Sequence, residues 1–344
     1  MHSGNNALRP VPTGKGAAIL GCAGTVLQAE ERRFFAQADP FGFILFSRNL
    51  ETPDQVRRLC RDLREVVGRD APILIDQEGG RVQRLRAPLA RDWTPPLDFA
   101  AVAGPRAAEA MRLRYAIIAA ELRALGIDSN CAPMIDIARP DTHAFLRNRC
   151  YGETLNTVVT LGRAVAEGTL AGGCLPVVKH IPGHGLAQLD SHLDLPRITA
   201  DRATLQAQDF AAFRALRDLP MGMTAHLVYE AYDEAPATIS PLMMALIRGE
   251  IGFGGLIMTD DISMQALSGS VADRGAAAQK AGCDVILHCN GELAEMRALM
   301  GALTPLAGLA RDRAVDALAA RPDAMTVDIE TLSVKLDALL EDVA

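Results

Sequence analysis

The sequence lacks the features that mark membrane-spanning, disulfide-stapled or nucleic-acid-binding proteins. Apolar residues make up 49% of the 344-residue chain, but they are dispersed among charges and form no block long enough to cross a bilayer. The opening MHSGNNALRPVPTGKG has no apolar h-region, and the first apolar run, Ala17 to Gly21, is too short for a secretory signal. The cytoplasm is therefore the expected compartment. Seven cysteines (Cys22, Cys60, Cys131, Cys150, Cys174, Cys283 and Cys289) form an odd set without a CxxC pair or zinc-ribbon spacing, so buried free thiols are expected. The net charge of −7 and the absence of a Lys/Arg stripe argue against a phosphate backbone as partner. Four tyrosines and one tryptophan leave little for a base-stacking platform, and the single Trp93, in RDWTPP, is expected to pack rather than to hold a ligand. No Ser/Gly linker, fixed-period repeat or low-complexity tract divides the chain. One domain spanning 1–344 is expected.

Eight short apolar runs alternate with segments of helical spacing, the pattern of βα units. The runs are AAILG (17–21), FGFILF (41–46), PILID (72–76), IDSNCAP (127–133), LPVVKH (175–180), MGMTAH (221–226), GLIMTD (255–260) and CDVILH (283–288). Helices are predicted over Pro53–Val67, Arg106–Leu125, Leu155–Ala171, Ala203–Leu216, Pro241–Arg248 and Arg274–Ala281. Right-handed crossovers would close the runs into a single (β/α)₈ barrel, with two or three helices over 291–344 packed on it. A doubly wound open sheet is the alternative, but no GxGxxG turn follows the first run. The passage between Gln77 and Pro105 reads as an elaborated loop.

Several runs end in chemically able residues: Asp76, Asp136, Lys179 with His180, His226, Asp260 and His288. In a barrel these ends share the face on which active sites are built. Taken singly, each has a plain structural explanation, as a helix cap or a hydrogen-bonded core histidine. Together they point to a site. The densest stretch, KHIPGHGLAQLDSH (179–192), could be read as a metal site through His180 and His184, but Pro182 and Gly183 oppose the helix such a pair needs. Lys179 as a Schiff-base lysine is a further reading, which requires a lowered pKa.

KHIPGHG followed by DSH resembles the signature of glycoside hydrolase family 3, in its β-N-acetylhexosaminidase branch. IDQEGGRVQR (75–84), RNRCYGET (147–154) and MTDDISM (258–264) agree with it in order and spacing, from about residue 17 to residue 290. Two departures are modest: Gln77 stands where His is also frequent, and RCYG replaces the more usual RSFG.

The resemblance implies retaining hydrolysis with Asp260 as the carboxylate nucleophile. Asp261 beside it would face elsewhere and cap the next helix. The proton donor implied is His192, assisted by Asp190, a carboxylate that stabilises the imidazolium and orients its ring. Asp76, Arg84, Arg149, Lys179 and His180 are implied to line the N-acetylglucosamine subsite through charge-assisted hydrogen bonds to sugar hydroxyls. Arg81 is better read as a structural ion-pair partner, and Gly79 and Gly80 as a sharp turn. Gly183 and Gly185 suggest a loop that closes over sugar. No metal or organic cofactor is called for. The implied substrate is a small muropeptide or amino sugar, GlcNAc-1,6-anhydroMurNAc of peptidoglycan recycling, and a monomer is expected. A broader β-glycosidase, a phosphorylase on the same fold and a non-catalytic sugar-binding barrel stay open as alternatives.

Overall fold

A computed structural model describes residues 12–187, 195–323 and 327–342. Eight parallel strands follow one another round a barrel: β1 (Gly16–Gly21), β2 (Pro40–Leu45), β3 (Ile73–Ile75), β4 (Ser129–Asn130), β5 (Leu175–Ile181), β6 (Met221–Thr224), β7 (Leu256–Met258) and β8 (Ile286–His288). Each pairs in parallel with the next, and β8 pairs back onto β1. A parallel bridge between Met258 and Val285 joins β7 to β8 and completes the circuit, so the sheet has no free edge. All eight predicted runs supply these strands.

Strand alternation divides the core into two layers. Ala17, Ile19, Leu74, Val177, Met221, Met223, Met258, Val285 and Leu287 face the barrel interior, and Leu306, Ala314 and Leu318 join the same cluster. Their neighbours Ala18, Leu20, Ile73, Ile75, Val178, Ile257 and Ile286 face outward into the layer shared with the helices.

The helix Pro53–Val67 shows why the pattern is legible. Thr52 accepts a hydrogen bond from the Gln55 N–H, Pro53 occupies the first turn, Gly68 ends the helix in the left-handed conformation, and Val56, Leu59, Cys60 and Leu63 form its buried stripe. The helices Ala107–Ala124 and Leu155–Ala171 also fall where the spacing predicts.

Other elements differ. The segment predicted as one helix over 203–216 is two, Arg202–Ala207 and Asp209–Ala215, meeting at Gln208 with φ −120° and ψ −84°. Just beyond the break, Asp209 is buried against Arg139, with oxygens 2.7 and 3.1 Å from the guanidinium. The helix predicted over 241–248 stops at Leu246 and widens into a π turn, Ile247–Ile251. The helix expected from Arg274 begins at Val271, because Ser270 and Asp273 form a reciprocal cap. Between Gln77 and Pro105 lie a hairpin, Gln77–Gly79 against Val82–Gln83, and a helix, Pro96–Ala103. Trp93 is buried in this region beneath Arg91 and Arg114, in a packing role.

After β8 come helices Leu293–Ala302, Gly308–Ala319 and Ile329–Glu341; the last packs on Ala107–Ala124 and Pro96–Ala103, burying Leu336 and Leu339. Among the described residues, no helix is long and apolar enough to cross a membrane. All seven cysteines are buried and free.

Candidate active site

The C-terminal ends of the strands surround a cavity of about 320 Å³. The strand alternation decides which end residues reach it. Asp76 is in phase with interior Leu74, Lys179 with Val177, and Asp260 with Met258, and all three line the cavity. His288 follows interior Leu287 and is therefore out of phase. It faces the helices, with Nε2 3.0 Å from Glu295, and belongs to the scaffold. His180 reaches the cavity although it follows Lys179 directly, because the pairing of β5 with β6 shifts register between Val178 and Ile181.

One network of charges organises one wall of the cavity. Lys179 Nζ lies 2.8 Å from Asp76 and 2.6 Å from Glu78. Arg84 reaches the other oxygen of Asp76 at 3.2 Å, and Arg149 grips Glu78 with two hydrogen bonds of 2.9 and 2.8 Å. Burial alone would raise both carboxyl pKa values. Lys179 and Arg84 overcome it at Asp76, and Arg149 and Lys179 overcome it at Glu78, so both stay below the usual carboxylate range. Burial alone would likewise lower Lys179, but Asp76 and Glu78 hold it above the ordinary lysine value. This removes the Schiff-base reading, since a lysine nucleophile needs its ammonium destabilised. The set has two carboxylates against three cations; Asp76, Arg84, Arg149 and Lys179 line the cavity and can meet sugar hydroxyls with charge-assisted hydrogen bonds, while Glu78 is buried behind them. The Arg84 guanidinium also stands 5.0 Å above the Phe46 ring, which lines the same cavity.

His180 is held from behind. Asp136 accepts its Nδ1–H at 2.7 Å and the His184 backbone N–H at 2.6 Å. His184 also lines the cavity, and burial, with His180 adding to it, pushes its pKa down to about 4. His180 ends a strand and His184 follows in a loop, so the helical zinc-pair geometry is not present. Among the described residues, no group of three His, Cys, Asp or Glu is placed to hold a metal ion. Phe46, Val82, Phe145, Leu146, Met223 and Met264 form the apolar part of the wall.

Residues 18–321 match the model for the glycosyl hydrolase family 3 N terminal domain. The chain belongs to glycosyl hydrolase family 3. The β-hexosaminidase of Alkalilimnicola ehrlichii is 38% identical over 283 residues, covering 80% of this chain and 81% of the relative. That of Methylococcus capsulatus is 37% identical over 277 residues, covering 79% and 82%. Among solved structures, NagZ from Neisseria gonorrhoeae in complex with N-trifluoroacetyl-D-glucosamine superimposes with a TM-score of 0.84 at 26% identity, over 97% of this chain and 98% of that one.

This family 3 glycoside hydrolase brings Asp76, Arg84, Arg149, Lys179, His180 and Asp260 to one cavity. His192 and Asp190 lie outside the described residues. The described part of the stretch before them is tied down: Tyr229 donates to the Gly183 carbonyl and Thr142 to that of Gly185, each at 2.6 Å. A Cβ on Gly185 would sit 2.1 Å from the Ile137 carbonyl, so this glycine serves close backbone packing. Asp261, expected to cap a helix, instead closes a turn by accepting the N–H and O–H of Ser263, because the next helix starts only at Val271. Arg81 is exposed over the Phe145 ring, has no ion-pair partner among the described residues, and does not line the cavity. Gly79 and Gly80 have φ of 99° and 60°, the conformations a turn after Asp76 demands. Glu78 is the residue missed from sequence. Its only sequence signal was a carboxylate inside IDQEGGRVQR two places after Asp76, and its place in the hairpin Gln77–Gly79 puts it behind the cavity wall.

Proposed function

We propose that the protein is a retaining exo-β-N-acetylglucosaminidase that removes terminal β-linked N-acetylglucosamine from muropeptides of the GlcNAc-1,6-anhydroMurNAc type. In this reading residues 1–344 form one catalytic domain working in the cytoplasm on peptidoglycan fragments. The observation that carries it is the meeting of Asp260 with the Asp76–Lys179–Glu78–Arg149 network in one small cavity.

Asp76, Arg84, Arg149, Lys179 and His180 bind the hydroxyls of the terminal sugar and hold its anomeric carbon over Asp260. The Asp260 carboxylate attacks that carbon, the glycosidic bond breaks, and the leaving oxygen takes a proton. A glycosyl-enzyme ester results. Water then attacks the same carbon from the face the leaving group vacated, gives up a proton, and releases the sugar with its β configuration retained. The proton donor and acceptor is assigned to His192, with Asp190 stabilising its imidazolium, on sequence grounds. Two features of the described site support this. Asp76 is committed to Lys179 and Arg84. Burial pushes His184 down to about 4, which leaves it neutral rather than imidazolium near pH 7 and so a poor acid. Similarity to β-hexosaminidases, and to a protein that binds an N-acylated glucosamine, supports the choice of an amino sugar.

The test is hydrolysis of an aryl N-acetyl-β-glucosaminide against the matching β-glucoside, with and without phosphate, following the product's anomeric configuration by proton NMR. Selective release of the β-anomer of N-acetylglucosamine is expected. An α-anomer first product, or a sugar phosphate, would replace this reading with an inverting enzyme or a phosphorylase.

A further inference from the structure

His226, just past the end of β6, is fully buried and does not line the cavity. Its Nε2 lies 3.0 Å from the Asp261 carbonyl oxygen. A carbonyl oxygen only accepts, so Nε2 carries the hydrogen. On the other side Nδ1 is 2.7 Å from Thr238 Oγ1, whose hydroxyl donates to the Ala225 carbonyl at 3.1 Å and which is also 2.9 Å from the Thr224 hydroxyl at the end of β6. Burial lowers the pKa of this imidazole.

Asp261 is fixed at further points. Its Oδ1 accepts the N–H of Ser263 at 3.1 Å and that of Cys289 at 3.2 Å, and its Oδ2 accepts the Ser263 hydroxyl at 2.8 Å. The Asp261 N–H points the other way and donates to Asp260 Oδ1 at 2.8 Å. The backbone of Asp261 thus connects a rigid anchor behind the barrel wall to the carboxylate that faces the sugar. That N–H, bound to one oxygen, helps to hold the rotation of the carboxylate.

We infer that His226 is a positioning residue for the nucleophile: by holding the Asp261 carbonyl it fixes the backbone of Asp261, and through its Cα the preceding peptide unit, whose N–H orients the Asp260 carboxylate. This rests on the reading of Asp260 as nucleophile. His226 does not line the cavity, so its loss acts on the bond-forming step rather than on sugar binding. A misplacement of about 1 Å in a reacting group can cost roughly 100-fold in rate.

The experiment compares His226→Gln, His226→Asn and Asp260→Ala with the wild type in the full-length protein. It measures kcat on an aryl N-acetyl-β-glucosaminide, the inhibition constant of N-acetylglucosamine, and the melting temperature. A glutamine amide reaches the position of Nε2 and restores the donor to Asp261, whereas an asparagine amide reaches only the position of Nδ1. His226→Gln is expected to keep kcat within about threefold, and His226→Asn to lose about 30-fold or more, with the sugar's inhibition constant within about twofold in both. Equal kcat in the two variants, a better enzyme with Asn than with Gln, or an inhibition constant that rises in step with the lost rate overturns the inference. If His226→Asn does not fold, Thr238→Val decides, since it removes the hydroxyl that steadies the imidazole at Nδ1 while keeping the side chain's shape. A several-fold loss of kcat at unchanged sugar affinity supports the inference, and wild-type kcat overturns it. Asp260→Ala separates the two levels. Its full activity removes the nucleophile reading itself, while an inactive Asp260→Ala beside a fully active His226→Asn removes only the positioning role.

Discussion

Glu78 receives the Arg149 guanidinium on both carboxylate oxygens, at 2.9 and 2.8 Å, and takes the Lys179 ammonium at 2.6 Å as well. One buried carboxylate is therefore the shared counter-ion of two cations that face the cavity. Glu78→Gln takes one of two carboxylate partners from Lys179 and the paired carboxylate from Arg149, and breaking a buried ion pair costs about 3–5 kcal/mol. We expect a clear fall in melting temperature and a KM for the aryl N-acetyl-β-glucosaminide raised by about tenfold or more, read by thermal unfolding and steady-state kinetics. Wild-type values of both would show that Glu78 neither supports the fold nor orders the subsite.

Asp260→Ala should reduce kcat by roughly 10³-fold or more while leaving the melting temperature within a few degrees. With an activated aryl leaving group, azide should enter the space the carboxylate leaves and give an α-glycosyl azide. Recovery of a β-glycosyl azide, or no loss of rate, contradicts a nucleophile at this position.

Asp136→Asn tests the support behind His180. The aspartate accepts from both His180 Nδ1 and the His184 backbone N–H, and an amide can accept on only one of its two ends. A several-fold rise in KM with a smaller change in kcat is expected. A change confined to kcat would instead place His180 in the bond-breaking step.

Stability should depend on pH through Glu121, which is not part of the cavity lining. Burial pushes its carboxyl up to about 7, against the opposing Arg91 backbone N–H and guanidinium. A folded-state value above the unfolded one, here the ordinary carboxyl value of 4.5, means that the folded chain holds the proton more tightly. The group's contribution is full below pH 4.5 and is lost as pH rises through 7. Glu121→Gln removes that loss. We expect its melting temperature to exceed that of the wild type by roughly 1–3 °C at pH 8 and to match it at pH 5. A gain that is the same at both values would rule out titration as the cause.

The sequence carried the barrel because each level of its pattern agreed. Eight apolar runs, the helices between them and the caps at Thr52 and Gly68 all point to βα units. Where the reading failed, a tertiary contact or a local cap intervened. The helix over 203–216 breaks where Asp209 is buried against Arg139, partners seventy positions apart. The helix after β7 starts at Val271 because Ser270 caps it, although the apolar spacing becomes clear only later.

By itself, the sequence determined which residues could do chemistry. It placed Asp76, Lys179 and Asp260 at strand ends in phase with interior apolar residues, since side chains alternate strictly along a strand. Tertiary structure decided what those residues touch. Glu78 joins Arg149 across 71 positions, Lys179 joins Asp76 across 103, and His226 reaches Asp261 across 35. Distances of that kind depend on how the barrel closes. The pKa directions of the site follow from the same cause, because burial and the opposing charge that offsets it exist only once distant strands have been brought together.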